Sequence, residues 1–152
     1  MLDRAKIPPI VLIVEDDLIL RMRSVDIVED AGYTPVEAVD ADEALGILQS
    51  RSDIALLFTD IQMPGRTDGN VVATRAKQRW PGLPVIYVSV RPSSLKNEIG
   101  LCDAFLAKPF TAAAILTTAQ RLLDARCNQR DIAARTEQVC SEPNRNVTLT
   151  TD

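Results

Sequence analysis

The chain contains no histidine among its 152 residues. This absence excludes Ser-His and Cys-His catalysis, histidine metal ligands and a phosphohistidine within the chain itself. Its three cysteines, Cys102, Cys127 and Cys140, form neither a CxxC pair nor an even set. We therefore expect no disulfide framework, and a reducing compartment fits this cysteine usage best.

Basic runs and long apolar runs are also missing. The net charge is −4, and no stretch rich in lysine or arginine indicates a phosphate-backbone partner. The apolar run that ends before Glu15 has only a few residues, too few for a signal peptide or a membrane span. We expect a cytoplasmic protein that contacts neither nucleic acid nor membrane directly.

The composition is that of one globular domain. Hydrophobic residues make up 46% of the chain and charged residues 25%, close to the average for globular proteins. The length suits a single core. We predict a domain over residues 10–126, followed by a polar, weakly periodic tail over residues 127–152 that is helical or disordered and carries no output domain.

Strand-like and helix-like segments alternate along this domain. Ile10–Val14 and Ile54–Phe58 are uninterrupted apolar runs, as in strands buried on both faces of a parallel sheet. In the first helix the apolar face is predicted to carry Leu18, Met22, Val25 and Val28. Predicted strands cover 10–14, 33–38, 54–60, 84–89 and 104–107, and predicted helices cover 18–31, the stretch after Asp40, 70–80, a short piece within 92–100, and 111–126. The alternation predicts an α/β fold with a doubly wound, five-stranded parallel sheet and about five helices, the fourth short.

Polar side chains follow the strands of this predicted sheet. Ligands of such sheets bind beyond the carboxyl ends of the strands, where Glu15, Asp16 and Asp60 would converge. Three converging carboxylates need a cation, and oxygen ligands without histidine or thiolate favour Mg²⁺. One carboxylate, most naturally the central Asp60, is then free to act as a nucleophile toward phosphorus, with Lys108 and Ser89 near the phosphoryl oxygens.

Four motifs, VLIVEDD, TDIQMPG, PVIYVS and AFLAKPF, resemble the response-regulator receiver family from Ile10 to about Arg126. The resemblance implies a flavodoxin-like sheet with strand order 2-1-3-4-5 and a cis bond at Lys108-Pro109. It further implies these site roles: Asp60 as phosphoacceptor; Glu15, Asp16, Asp60 and the Gln62 backbone carbonyl around Mg²⁺; Ser89 and Lys108 as phosphate sensors; Phe105 as the switch aromatic; and Gln62, Val90 and Arg91 as residues that tune phosphoryl lifetime.

The sequence departs from the family pattern in three places. Val90 stands where the family usually has a small residue, and we expect it to crowd the phosphoryl pocket. The turn before Asp68-Gly69 is one residue longer than usual. The segment from Val90 to Gly100 is short, which predicts a reduced fourth helix.

The same resemblance implies the partners. A sensor histidine kinase or a histidine phosphotransfer protein would donate the phosphoryl group, and an unidentified protein would be the target; a homodimer remains open. A pseudo-receiver that is never phosphorylated is one alternative. An aspartate-nucleophile phosphohydrolase of the haloacid dehalogenase type is another, but it needs a second acid at the position of Gln62. A dinucleotide-binding enzyme would need glycines in place of Glu15-Asp16-Asp17, whose charge repels a pyrophosphate.

Overall fold

In the computed structural model, which describes residues 7–62, 69–90 and 102–125, five strands form one parallel sheet. The strand order is β2-β1-β3-β4-β5, and every adjacent pair is parallel. The elements are β1 (Ile10–Val14), α1 (Leu18–Asp30), β2 (Thr34–Ala38), α2 (Ala41–Ser50), β3 (Ile54–Asp60), α3 (Gly69–Arg79), β4 (Val85–Ser89), β5 (Ala104–Ala107) and α4 (residues 112–125). The predicted sheet and strand order are confirmed, whereas the predicted short helix within 92–100 and the tail over 127–152 lie outside the described residues.

Two apolar cores cover the faces of the sheet. Leu12 and Val14 of β1 pack into one core with residues of α2 and α3. The alternate residues Val11 and Ile13 pack into the other core with residues of α1 and α4. Because successive side chains of a strand point to opposite faces, a strand covered on both sides must be apolar throughout. This explains the uninterrupted apolar run of β1.

Side-chain caps fix where three of the helices begin. The carboxylate of Asp17 accepts a hydrogen bond from Leu20 N at 2.9 Å, and that of Asp40 accepts one from Glu43 N at 2.8 Å. The Thr111 hydroxyl oxygen accepts one from Ala114 N at 3.1 Å. These caps satisfy amide groups that have no partner within their own helix. No helix in the described stretches is both long and apolar enough to cross a membrane.

The prediction for the buried face of α1 is wrong at two positions. Leu18 and Met22 are 58% and 55% exposed. Val28 is buried as predicted, but the inward position one turn earlier belongs to Ser24, which is 1% exposed. The residue near the start of α1 that reaches the sheet is instead Arg21, whose guanidinium donates to Glu15 O at 3.0 Å.

A buried ion pair joins α3 to the sheet at the end opposite the carboxyl ends of the strands. The Asp103 carboxylate, just before β5, accepts from Lys77 Nζ and from Val85 N, the latter at 3.2 Å. Its side chain is 1% exposed. A buried carboxylate is tolerated when it is both paired and hydrogen-bonded. This contact anchors α3 to β4 and β5, away from the edge where the candidate site lies.

Helix α3 begins directly against the backbone of Asp60. A Cβ added at Gly69 would lie 2.0 Å from the Asp60 carbonyl oxygen and 2.8 Å from the Thr59 hydroxyl oxygen. Real Cβ atoms do not approach backbone this closely, so a side chain there would push α3 away from β3. The position of the β3 end therefore depends on a glycine at residue 69.

Substitution of Gly69 by alanine should destabilise the fold by about 1–3 kcal/mol, because the new methyl group overlaps backbone atoms of β3. Gly46 is the matched control, since it lies exposed within α2 and its added Cβ would meet nothing within 4 Å. Gly46→Ala should raise stability by up to about 1 kcal/mol through helix propensity. Urea unfolding measures both, and equal midpoints for the two variants would contradict the close approach.

Candidate functional site

Three carboxylates meet at the carboxyl ends of β1 and β3. These strands are neighbours, with Val14 paired to Thr59, so the residues that follow them lie side by side. Glu15, Asp16 and Asp60 can each offer one oxygen such that these oxygens lie within 4.8 Å of one another. Glu15 and Asp60 are each 3% exposed, whereas Asp16 is exposed. The sequence prediction that these acids converge is confirmed.

The ammonium of Lys108 lies against two of these carboxylates. Its Nζ is 2.7 Å from Asp60 Oδ2 and 3.2 Å from Glu15 Oε2. Lys108 follows β5, and its backbone N donates to Ser89 O at 2.9 Å, which continues the sheet by one further bond. The bond between Lys108 and Pro109 is cis, as the family resemblance implied. The sheet thus places the ammonium of the residue after β5 against the carboxylates at the ends of β1 and β3.

Each of the two buried carboxylates also has its second oxygen bonded to a backbone amide. Asp60 Oδ1 accepts from Gln62 N at 2.9 Å, and Glu15 Oε1 accepts from Asp17 N at 3.1 Å. With one oxygen on an amide and the other on the ammonium, neither carboxylate can rotate freely. Both side chains are therefore held in fixed orientations before any ligand arrives.

The charges in this cluster do not balance. Burial, with a smaller contribution from the negative charge of Asp60, raises the pKa of Glu15 to about 7 against the opposing effects of the Asp17 amide and of Lys108. Burial by itself would lower the pKa of Lys108, but its hydrogen bond to Asp60 and the charges of Asp60 and Glu15 raise it overall. One ammonium is thus too little positive charge for this set of acids.

A hard divalent cation suits this donor set. All candidate ligand atoms are oxygens, and the chain offers no histidine as an alternative ligand. Mg²⁺ prefers carboxylate and carbonyl oxygens and commonly binds through one or two carboxylates. The raised pKa of Glu15 is a further sign that the cluster has room for added positive charge. The residues present therefore fit Mg²⁺.

The other residues predicted for the site lie at the same edge, within β5 or outside the described residues. Ser89 is buried at the end of β4, one residue beyond Val88, which pairs with Asp60. Val90 follows it and is 61% exposed. Phe105 is half-buried in β5, where it pairs with Tyr87. Arg91 and the turn over residues 63–68 lie outside the part of the chain that the structure describes.

Sequence reasoning missed two arginines of α1 that reach the loops of the site. Arg21 donates to Glu15 O, and its Nε lies 3.3 Å from Glu37 Oε1 at the end of β2. Arg23 donates to Phe110 O at 3.1 Å, just beyond Lys108. One signal was present in the sequence, because both arginines lie in the first two turns of the helix that follows the acidic pair. The backbone atoms they bind could not be identified from that position.

Comparison with known proteins gives one consistent result. Residues 11–120 match the family model described as the response regulator receiver domain. This chain is similar to the solved structure of a response regulator receiver protein from Sinorhizobium medicae, with a TM-score of 0.74 and 28% sequence identity. The matched region covers 78% of this chain and 97% of that one. The similarity therefore extends over nearly all of a known receiver protein.

Curated relatives are longer proteins. The aerobic respiration control protein ArcA of Escherichia coli is 31% identical over 123 residues, which cover 79% of this chain and 50% of ArcA. The sensor kinase CckA of Brucella abortus is 30% identical over 118 residues, 75% of this chain and 12% of CckA. The chain thus spans half the length of the first relative and a small part of the second.

Proposed function

Because the chain belongs to the response regulator receiver domain family, a signalling domain and not a classical enzyme, we propose that it accepts a phosphoryl group on Asp60 within a two-component system or phosphorelay. The observation that carries this proposal is the buried Asp60 carboxylate, held between the Gln62 amide and the Lys108 ammonium. Phosphoryl transfer to a carboxylate requires an oriented acceptor and a nearby positive charge, and Asp60 has both.

In the proposed reaction an Asp60 oxygen forms a bond to phosphorus while the bond from phosphorus to the donor's leaving group breaks. With a phosphohistidine donor, the electron pair of that bond returns to the imidazole nitrogen. A phosphohistidine donor must lie outside these 152 residues, because they contain no histidine. A sensor histidine kinase or a histidine phosphotransfer protein has the required chemistry, and the similarity to a segment of a sensor kinase supports this class of partner.

Mg²⁺ would be held by Asp16, Asp60 and the Gln62 backbone carbonyl, with Glu15 in the same acidic cluster, and when bound it would neutralise charge on the phosphoryl oxygens. Lys108 lies where its ammonium stabilises the same oxygens. Ser89 is the proposed hydrogen-bond donor to the phosphoryl group. Gln62, Val90 and Arg91 remain the residues predicted to tune its lifetime.

The proposed output is a change of shape that alters affinity for a protein target. Phosphorylation would shift Ser89 toward the phosphoryl group and would move Phe105, which is half-buried, inward. We propose residues 10–126 as the unit that performs these steps. A protein target, a phosphorylation-dependent homodimer and a cytoplasmic location remain predictions.

The function is tested by intact-protein mass spectrometry after incubation with acetyl phosphate, with Mg²⁺ or with EDTA. We expect one phosphoryl adduct that forms in Mg²⁺ and is absent from Asp60→Asn. Asp53→Asn is the matched control, because Asp53 is exposed at the other end of β3 and pairs with Arg51. It should acquire the adduct as the wild type does.

The same experiment separates the alternatives. A pseudo-receiver would show no adduct with any donor. A phosphohydrolase would release phosphate from the donor continuously, and it would need an acid where the chain has Gln62. An adduct of equal amount in Asp60→Asn would overturn the assignment of the acceptor.

A further inference from the structure

The segment that carries Lys108 is attached to the sheet by a short edge strand. β5 has four residues and lies at the end of the strand order, so it has a neighbouring strand on one side only. Lys108, the residue that bears the ammonium, bonds to the sheet through its backbone N, which donates to Ser89 O. An edge strand restrains the chain beyond it weakly. The position of Lys108 therefore also depends on what holds residues 109 and 110.

Helix α1 supplies that contact through Arg23. Its Nη2 donates to Phe110 O at 3.1 Å, and its guanidinium carbon lies 5.7 Å from the centroid of the Phe110 ring. The ring itself packs edge-on against Phe58, with centroids 5.9 Å apart and ring planes at 88°. Phe58 precedes Asp60 by two residues in β3. The loop is thus held by the sheet at Lys108, and at Phe110 by both α1 and β3.

Two features of Arg23 distinguish it from an ordinary surface arginine. It makes a hydrogen bond and a cation–π contact to the same residue, and a planar guanidinium can make both at once whereas an ammonium is a point charge. It is also exposed. Exposed polar contacts add little to overall stability. The consequence of this contact is therefore local, in the placement of the loop.

We propose that Arg23 is a positioning residue that holds the segment from Lys108 to Phe110 so that the Lys108 ammonium stays in contact with Asp60. The inference rests on the proposed phosphoryl transfer, which it deepens by adding a residue that acts through Lys108 without touching the phosphoryl group. Displacements of about 1 Å in a reacting group cost up to about 100-fold in rate. A small shift of the loop would therefore be enough to lower the rate of phosphoryl transfer.

The first test measures the rate of phosphorylation by acetyl phosphate at saturating Mg²⁺. Arg23→Ala should be about tenfold slower than wild type, and Arg23→Lys should recover part of the loss because it retains the charge over the ring. In a Lys108→Ala background, Arg23→Ala should cause no further loss. Arg75→Ala is the charge-matched control, since Arg75 is exposed on α3, on the other face of the sheet.

The second test is independent of phosphorylation and measures hydrogen exchange of the Lys108 amide, which donates to Ser89 O. Arg23→Ala should raise its exchange rate about tenfold. The Ile61 amide, which donates to Val88 O at 3.0 Å, should exchange as in wild type and so report that the sheet is intact.

The outcomes are distinct. A wild-type rate and a protected Lys108 amide in Arg23→Ala would overturn the inference, and so would a loss that persists in the Lys108→Ala background. If the wild type acquires no phosphoryl group at all, the proposed function fails, and the exchange of the Lys108 amide alone decides whether Arg23 holds the loop.

Discussion

Replacement of Lys108 by alanine is expected to slow phosphoryl transfer from acetyl phosphate to Asp60 by about 100-fold or more. The ammonium lies 2.7 Å from Asp60 Oδ2 and is the positive charge nearest to the proposed acceptor within the described residues. Its removal leaves the negative charge of the incoming phosphoryl oxygens without this partner. The rate is measured by intact mass spectrometry at fixed Mg²⁺, with Arg75→Ala as the variant that loses a charge elsewhere.

Mg²⁺ binding separates loss of the ammonium from loss of the fold. Lys108→Ala should bind Mg²⁺ at least as tightly as wild type in calorimetric titration, because the three carboxylates remain and a competing cation has gone. A rate within about twofold of wild type would contradict the role of Lys108. A slow rate together with abolished Mg²⁺ binding would indicate a disrupted site instead.

The stability of the metal-free protein is expected to fall with rising pH because of Glu15. Its pKa is 4.5 in the unfolded reference and about 7 in the fold. The folded state therefore binds a proton more tightly, so this contribution is fully present below about pH 4.5 and is lost as the pH rises through about 7. At about 1.4 kcal/mol per unit, the effect is at most ~3 kcal/mol. Thermal unfolding in EDTA should show this slope in wild type and not in Glu15→Gln.

Saturating Mg²⁺ should reverse the sign of that slope. A bound cation favours the ionised carboxylate, so the apparent affinity for Mg²⁺ should fall as the pH drops below about 7. The stabilisation by Mg²⁺ should then increase with pH over the same interval in which the metal-free protein loses stability. Parallel pH profiles for wild type and Glu15→Gln, with or without Mg²⁺, would show that Glu15 does not titrate in this range.

The fold was predictable because its signals are local and strong. The apolar runs of β1 and β3 mark strands that are buried on both faces, and the rule that ligands bind at the carboxyl ends of parallel strands identified Glu15, Asp16 and Asp60 without any coordinates. The caps at Asp40 and Thr111 have equally local signals, since each depends on a side chain three residues before the amide it binds.

The features that were missed depend on contacts between distant residues. Spacing alone placed Leu18 and Met22 on the buried face of α1, whereas both are exposed and Arg21 is the residue that reaches Glu15 O. The pairing of Asp103 with Lys77 and the contact of Arg23 with Phe110 join residues that are 26 and 87 positions apart. Helical periodicity contains no information on such pairs. The raised pKa of Glu15 likewise follows from burial, which becomes known only with the packing.

The assignment of Asp60 as the phosphoacceptor can be tested directly by chemical trapping. Borohydride reduces an aspartyl phosphate to homoserine, so the chain is phosphorylated in Mg²⁺, reduced, digested and sequenced by peptide mass spectrometry. We expect homoserine at position 60 and at no other aspartate. Homoserine at Asp16, or no conversion in a sample that carries the phosphoryl adduct, would contradict it.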